Sequence, residues 1–260
     1  MIHSLAYIHP EAVIAPNVTI DPFASIHKNV EVGEGTWIGS NAVIMEGARI
    51  GKNCKIFPGA VISAPPQDLK YKGEPSTVVI GDNTTIREFV TLNRGTELDL
   101  NSTIIGENCL IMAYVHVAHD CVIGNNVIIV NSVQLAGHIE VQDFAFIGGT
   151  SAVHQFVKIG AHAMVSGGSL VRKDVPPFTK AGRDPLAYCG INTIGLRRRG
   201  FSNEKITEIQ EIYRHIYMKG LNNSDALEVV ETAMPPTQER DEILNFIRTS
   251  ERGIMRGTLD

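Results

Sequence analysis

The chain has 260 residues and a formal net charge of −5, so it lacks the basic excess that general nucleic-acid binding requires. It contains no run of apolar residues long enough for a membrane span, which needs about 18. The four cysteines have no CxxC spacing, and the N-terminal residues show no basic segment followed by an apolar core, so we expect a cytoplasmic protein with reduced thiols.

An apolar residue recurs at every sixth position along most of the chain. The first series runs from Ile2 to Ile62 and contains only Ile and Val, and the same frame resumes at Ile80. A second series, one residue out of phase, runs from Ile105 to Val171. This period is neither that of a helix, about 3.6 residues, nor that of a plain strand, about 2. It predicts short strands separated by corners and coiled into a parallel β-solenoid.

Two further positions of the repeat support this picture. The residue two places before each anchor is usually small, as at Ala24 and Ala60, and it shares the inward face with the anchor. Cys54, Cys109 and Cys121 occupy this position, so we interpret them as packing residues without chemistry. Glycine often follows the anchor, with Asn or Asp close behind, as suits a tight corner. The repeat resembles the hexapeptide-repeat family, whose triangular coils hold three hexads each and wind left-handed.

Two segments interrupt the repeat, at 64–77 (the first loop) and at 93–103 (the second loop). Loops that project from a rigid scaffold often carry binding groups. The first loop contains Gln67, Asp68 and Lys70 within a dense polar set, and we expect it to bind a ligand. We expect the second loop to be a plain solvated excursion.

A column of histidines follows the loops. With a coil of three hexads, His119 is followed one coil later by Gly137 and two coils later by Gln155. Their neighbours are His138 and His154, so both join the column. Coils stack about 4.8 Å apart, which makes the column about 10 Å tall. Such a column predicts a functional site.

The residue types in this column favour acid–base chemistry. A general base needs a pKa near the operating pH, and histidine has one without perturbation. Asp120 can orient His119 and stabilise its cation, and the backbone N–H of Gly137 can stabilise an oxyanion. His116 lies one residue before an anchor and points outward from the same coil. Together these groups describe direct acyl transfer to a hydroxyl, without a covalent enzyme intermediate.

Two other classes stay open at this point. Some solenoids of this type are trimeric zinc carbonic anhydrases, in which the histidine pair on one segment has H-x4-H spacing. Here His116 and His119 have H-x2-H spacing, so we expect no metal and no cofactor. A non-enzymatic scaffold is the remaining class, and the histidine column and the polar first loop argue against it.

The pattern becomes helical after the repeat ends near Val171. A linker with several Pro and Gly residues comes first. Ser202 can then cap a helix that stops near Gly220, and its apolar stripe indicates packing. Further helices are predicted over 224–233 and 237–249.

These elements predict a mainly β protein with two domains. A parallel β-helix with the two loops occupies 1–182, and a C-terminal α-helical domain occupies 183–260. The helical domain can cover strand edges at the end of the solenoid, which would otherwise stay unpaired.

Six stretches of the chain carry a more specific resemblance: QDLKYKGEP, HVAHDCVIG, LAGH, AVHQF, VPPF and GLRRRGFS. They are similar to the acyl-[acyl-carrier-protein]–UDP-N-acetylglucosamine O-acyltransferase family, which performs the first step of lipid A biosynthesis. The resemblance implies a homotrimer with active sites in grooves between neighbouring solenoids. It also implies transfer of a 3-hydroxyacyl chain from acyl carrier protein to the 3-hydroxyl of UDP-N-acetylglucosamine.

The resemblance implies a role for each residue that matches the family's motifs. His119 is the general base, Asp120 supports it, and Gly137 offers the oxyanion N–H. Gly167 falls where the family sets acyl chain length, and a glycine there implies a long chain. The residues implied to bind the substrates are Gln67, Asp68, Lys70, His116, His138, His154, Gln155, Asn192 and Arg198.

One position departs from the family's pattern, because Ile194 stands where the family has an acid near the uracil. The carrier protein is acidic, and we expect it to dock on the most basic part of this acidic chain. The residues of this basic segment are Arg172, Lys173, Lys180, Arg183, Arg197, Arg198 and Arg199.

The nearest rival is the N-acyltransferase of the same pathway, which acts on a 3-amino sugar nucleotide and resembles this chain in repeat and histidine use. It usually carries a nucleotide-binding domain ahead of the solenoid. Here the repeat begins at Ile2, so we expect the O-acyltransferase.

Overall fold

The computed structural model describes residues 1–257, in which the repeat winds into coils of three short strands. Within the coils, each strand pairs in parallel with the strand one coil later. His116 lies beside Gln134, and Gln134 lies beside Ala152, which is the step of three hexads that the sequence predicts. The strands therefore form three sheets, which are the three faces of a prism.

Within residues 1–257 the strands divide among the three sheets as follows. The first sheet has nine strands: Tyr7–Ile8, Ser25–Ile26, Val43–Ile44, Val61–Ala64, Thr91–Asn93, His116–Val117, Gln134–Leu135, Ala152–Val153 and Leu170–Val171. The second sheet has eight: Val13–Ile14, Glu31–Val32, Ala48–Ile50, Thr77–Ile80, Ser102–Ile105, Val122–Ile123, Glu140–Val141 and Lys158–Ile159. The third sheet has ten: Thr19–Ile20, Trp37–Ile38, Lys55–Ile56, Thr85–Ile86, Leu110–Ile111, Ile128–Ile129, Phe146–Ile147, Met164–Val165, Thr179–Gly182 and Ala187–Ile191.

The anchors of the repeat fill the inside of the prism. Ile111 and Val117 are fully buried, and burying such a side chain contributes roughly 1.5–3 kcal/mol. Cys54, Cys109 and Cys121 point inward beside them, as expected. Burial raises the pKa of all three thiols, that of Cys121 to about 12, so they stay protonated packing groups.

Both loops leave the prism between a strand of the first sheet and a strand of the second. Paired strands of the first sheet normally lie three hexads apart along the chain, as His116 and Gln134 do. Ile62 pairs with Leu92, and Leu92 with Val117, which are both wider separations. Each loop therefore lengthens its coil, the first loop by more than the second, while the pairing resumes on either side.

The segment predicted as a linker is structured, so that prediction was wrong. Thr179–Gly182 pairs in parallel with Met164–Val165 and antiparallel with Ala187–Ile191. Without this hairpin, Met164–Val165 would be the edge strand of the third sheet, and its outer backbone groups would be unpaired. The hairpin supplies partners for them. The hairpin spans the expected boundary between residues 182 and 183, and the division into two domains stays a prediction.

Four helices follow in the described part of the chain: α1 Thr193–Arg198, α2 Asn203–Met218, α3 Asn223–Ala233 and α4 Gln238–Arg248. The predicted start of α2 is confirmed, because Ser202 caps it by accepting a hydrogen bond from the backbone N–H of Lys205. The other two expected helices are α3 and α4, whereas α1 was not predicted. None of the four is long and apolar enough to cross a membrane.

The helices pack onto the end of the solenoid. The Tyr213 hydroxyl, at the centre of α2, donates to the carbonyl of Pro177 at 2.6 Å. Beyond α4, Ile254 and Arg256 form bridges with Asp174 and Ala187. The C-terminal segment therefore covers this end of the coil stack.

Candidate active site

The candidate site lies at the corner between the first and second sheets, which we call the His119 corner. The first loop, the second loop and the turns 118–121, 136–139 and 154–157 all follow strands of the first sheet and lead into the second. They come from five consecutive coils, so they lie one above another. The stacking of the coils therefore brings the two loops and the histidine column together.

His119 and Asp120 form a hydrogen-bonded pair at this corner. Nδ1 of His119 lies 2.9 Å from Oδ2 of Asp120, and Asp120 is 2% exposed. An ionised carboxylate only accepts hydrogen bonds, so Nδ1 of His119 donates. Nε2 of His119 is then the atom that can take a proton from a substrate.

Gly137 lies directly against the ring of His119. A Cβ at position 137 would fall 2.7 Å from Cε1 and 2.8 Å from Nε2 of His119, closer than real Cβ atoms approach other atoms. Only glycine therefore leaves room for the ring. Within residues 1–257 the backbone N–H of Gly137 donates no hydrogen bond, so it is available for a substrate oxygen.

The histidine column continues above His119. The rings of His119 and His138 meet edge to face with centroids 4.9 Å apart, and His138 stacks on Phe156 at 4.5 Å. Sequence reasoning missed Phe156, although the coil length places it exactly one coil after His138. The residues predicted at the top of the column, His154 and Gln155, are both exposed.

The second loop packs against this column, so the expectation of a plain solvated loop was wrong. Thr96 is 3% exposed and donates to the carboxylate of Asp120 from both its backbone N–H and its hydroxyl. Asp99 accepts a hydrogen bond of 2.5 Å from Nδ1 of His138. The loop shows no periodicity, so no pattern in the sequence indicated these contacts.

His116 lies on the outer face of the first sheet, one strand residue before the buried Val117. Its Nδ1 is 2.7 Å from the hydroxyl of Thr91. Burial, and then the nearby His119, lower the pKa of His116, so it is neutral near pH 7. A neutral ring here can donate to or accept from a polar substrate group.

The first loop projects beside the column. Gln67 and Lys70 are exposed, and the carboxylate of Asp68 accepts a hydrogen bond of 2.9 Å from the backbone N–H of Lys70. A cavity of about 290 Å³ lies between the two loops. Its lining residues are Lys70, Lys72, Glu74, Glu97 and Leu98.

Three of the predicted residues lie at other corners of the same chain. Asn192 lies near the corner between the second and third sheets, where its amide donates to the carbonyl of His162 and accepts from the N–H of Gly195 to cap α1. Arg198 ends α1 and is exposed. Gly167 lies at the corner between the third and first sheets. A single chain therefore does not bring these residues to His119.

His119, Asp120 and His138 each have a ligand atom within 4.8 Å of the others. Nδ1 of both rings is already hydrogen-bonded to a carboxylate, and the carboxylate of Asp120 also accepts from Thr96. A metal on Oδ2 of Asp120 would compete with the hydrogen bonds that this oxygen accepts from His119 and Thr96. The donor set therefore fits a supported histidine base better than a metal centre.

Comparisons with known proteins show the family to which the chain is similar. A family model for bacterial transferase hexapeptides matches residues 29–64 and 102–137, and one for domain 2 of UDP-N-acetylglucosamine O-acyltransferase matches 174–255. An acyl-[acyl-carrier-protein]–UDP-N-acetylglucosamine O-acyltransferase from Janthinobacterium sp. (strain Marseille) is 47% identical over 98% of this chain and 99% of its own length.

Solved structures agree over the same length. A UDP-N-acetylglucosamine acyltransferase from Bacteroides fragilis 9343 is 55% identical over 98% of this chain and 100% of its own, with a TM-score of 0.97. The enzyme from Francisella novicida is 44% identical over 98% of this chain and 94% of its own, with a TM-score of 0.96. These neighbours confirm the predicted left-handed parallel β-helix with a helical C-terminal region. By sequence over nearly its whole length, and by fold, the chain belongs to the acyl-[acyl-carrier-protein]–UDP-N-acetylglucosamine O-acyltransferase family.

Proposed function

We propose that this chain transfers a 3-hydroxyacyl group from acyl carrier protein to the 3-hydroxyl of UDP-N-acetylglucosamine, with His119 as the general base. The observation that carries the proposal is the His119–Asp120 pair packed against Gly137. A base oriented by a buried carboxylate, beside a free backbone N–H, is what direct acyl transfer needs. The names of the relatives identify the donor and the acceptor.

The reaction follows from the atoms at the His119 corner. Nε2 of His119 takes the proton of the sugar hydroxyl, whose oxygen attacks the thioester carbonyl of the donor. The N–H of Gly137 stabilises the oxyanion that forms. The C–S bond then breaks, and His119 returns its proton to the leaving sulfur. Asp120 stabilises the imidazolium between the two transfers, so no covalent enzyme intermediate is needed.

The first loop supports binding of the sugar nucleotide. Its polar residues Gln67, Asp68 and Lys70 project at the His119 corner, within reach of an acceptor held there. The walls of the cleft on the solenoid side are then completed by His116, His138, His154 and Gln155.

A homotrimer is part of this proposal. Asn192 and Arg198, the predicted nucleotide contacts, lie at a different corner from His119, so one site takes them from a neighbouring chain. Asn192 holds the start of α1 in place, and Arg198 at its end presents an exposed guanidinium. Phe89 and Tyr114 stack at 5.3 Å on another corner while 52% and 58% exposed, which suits burial against a neighbour.

Exposed basic residues indicate where the acyl carrier protein, which is the acyl donor, docks. Arg172, Lys180, Arg183 and Arg198 are exposed near the helical end of the solenoid, where an acidic carrier protein can dock. Arg199 is less accessible, because its guanidinium lies over the ring of Phe144. A carrier protein and a sugar nucleotide are both cytoplasmic substrates, so we place the reaction in the cytoplasm.

The product assay tests the proposed function directly. Purified protein is incubated with UDP-N-acetylglucosamine and a panel of 3-hydroxyacyl carrier proteins, and products are identified by mass spectrometry. We expect a single acyl chain added through an ester. An analogue with a 3-amino group serves as the competing acceptor. Exclusive acylation of the amine, or no acylation at all, would contradict the proposal.

Gly167 provides the second prediction. The outer face of the first sheet runs from His116 through Gln134 and Ala152 to Leu170, three coil steps or about 14 Å, and Gly167 lies at its far end. We expect Gly167→Met to block this end and to shift donor preference toward shorter chains. Its backbone has no positive φ, so a side chain there causes no backbone strain, but the nearby carbonyl of Gly149 must shift by a few tenths of an ångström to admit a Cβ.

The measurement is competition between two acyl carriers of different chain length, with product ratios read by mass spectrometry. Gly167→Ala is the matched control, since its Cβ would lie 3.2 Å from the carbonyl oxygen of Gly149 but does not extend along the face. An unchanged product ratio in Gly167→Met would rule out this residue as the end of the acyl groove.

A further inference from the structure

The second loop contacts the carboxylate that orients His119. Oδ2 of Asp120 accepts 2.7 Å from the hydroxyl of Thr96 and 3.1 Å from its backbone N–H, while Oδ1 accepts 3.0 Å from the same N–H. Both residues are almost fully buried. Nδ1 of His119 donates to the same Oδ2. Thr96 therefore fixes the carboxylate beside the base.

The same loop reaches the next histidine of the column. Asp99 comes three residues after Thr96, and its carboxylate accepts from Nδ1 of His138 at 2.5 Å. A turn closes between them, because the backbone N–H groups of Asp99 and Asn101 both donate to the carbonyl of Thr96. The second loop thus acts on both neighbouring rings: it fixes the carboxylate of Asp120 beside His119, and it supplies the carboxylate of Asp99 beside His138.

The second loop is itself fixed by hydrogen bonds to other parts of the chain. Arg94 donates to the hydroxyl of Tyr71 in the first loop at 3.2 Å and to the carbonyl of Glu46 at 2.9 Å. Gly95 donates to the carbonyl of Thr77, and a Cβ there would fall 2.0 Å from the backbone nitrogen of Ser102. The loop is therefore fixed by contacts to the prism and to the first loop.

We propose that the second loop is a positioning element for both histidines, in which Thr96 orients His119 through Asp120 and Asp99 orients His138 directly. This inference rests on the proposed function, because it gives His119 its role as the base. Neither Thr96 nor Asp99 takes or gives a proton in the reaction. Each holds an imidazole in the tautomer whose Nε2 faces the substrate.

Removal of the Thr96 hydroxyl changes the electrostatics of the base in a defined direction. The Thr96 hydroxyl and Nδ1 of His119 both donate to Oδ2 of Asp120. Without the hydroxyl, the negative charge of this oxygen is less neutralised, so it attracts the Nδ1–H of His119 more strongly. The imidazolium is then stabilised and His119 titrates at a higher pH. The other titratable groups facing the pair are His116, His138 and Cys121, which are unchanged by the substitution.

The experiment compares Thr96→Val with Thr96→Ser, which keeps the hydroxyl. Loss of one hydrogen bond to a charged group predicts about a tenfold fall in kcat/KM near pH 7 for Thr96→Val. The acid limb of its pH profile moves to higher pH, because transfer needs neutral His119. Thr96→Ser retains most of the activity and the wild-type profile. An equal loss at every pH, with an unmoved profile, would overturn the proposal.

Thr103→Val is the matched control, since Thr103 is buried beside the same corner and its hydroxyl bonds the carbonyl of Ala118 instead. We expect its pH profile to match the wild type, and a shift equal to that of Thr96→Val would refute the proposal. Asp99→Ala covers the case in which Thr96→Val does not fold, because Asp99 is exposed. Loss of its carboxylate lowers the pH at which His138 titrates, and an unchanged titration would also refute the proposal.

Imidazole titration by NMR separates this inference from the proposed function. The signals of His119 and His138 are assigned from their alanine variants, and their midpoints are followed in the wild type, Thr96→Val and Asp99→Ala without any substrate. A wild type that transfers no acyl chain contradicts the proposed function alone. Midpoints that do not move in either variant contradict the positioning role alone.

Discussion

His119→Ala is expected to lose acyl transfer by about 10²–10⁴-fold while the fold is retained. The variant removes the group that is placed to take the proton of the sugar hydroxyl. The fold survives because the side chain lies at a surface corner, and because the buried carboxylate of Asp120 keeps both of its bonds from Thr96. Initial rates of transfer and the thermal unfolding midpoint provide the two measurements.

His27→Ala is the matched control for this variant. His27 directly follows a strand of the first sheet at the same corner, several coils below the site, and in the described residues its side chain makes no hydrogen bond. It should transfer acyl chains at the wild-type rate. Near-normal turnover in His119→Ala would remove His119 as the base.

Gly137→Ala is expected to lower kcat by about 10²-fold, although the backbone N–H stays in place. The new Cβ would overlap Cε1 and Nε2 of His119, so the ring must move by the order of 1 Å. A displacement of this size at a reacting group is enough for such a loss. The rate therefore reports the position of the base rather than the presence of the oxyanion donor.

A double-variant cycle checks this explanation. In a His119→Ala background the three atoms nearest to a Cβ at position 137 are all absent, so Gly137→Ala should cause little further loss of activity or stability. Alone, Gly137→Ala should lower the free energy of unfolding by about 1–3 kcal/mol, the cost of forcing extra volume into a packed site. Additive losses in the double variant would show that the overlap is not the cause.

The repeat allowed most of the scaffold to be predicted, because each coil obeys the same spacing. His119, Gly137 and Gln155 fall on one corner for that reason alone. The same spacing also places His138 and Phe156 in register, and Phe156 was missed because it is apolar whereas polar residues define the column. Such a period carries three-dimensional information that ordinary sequence patterns lack.

The parts that were missed are those outside the period. The contacts of Thr96 and Asp99 depend on the path of a loop, which no local pattern fixes. The short helix α1 has no apolar stripe long enough to recognise, and its cap uses the amide of Asn192. The family resemblance implies a nucleotide contact for the same residue, and that role stays a prediction.

The additional residues of the two loops leave the prism at a corner, and Ile62, Leu92 and Val117 still pair in register across them. The strands of each coil pair only with those of neighbouring coils, and closing a longer loop costs entropy that grows only with the logarithm of its length. Insertions and deletions at this corner are therefore nearly neutral for the scaffold. Over evolutionary time, selection can alter substrate recognition there without rebuilding the wall that holds His119.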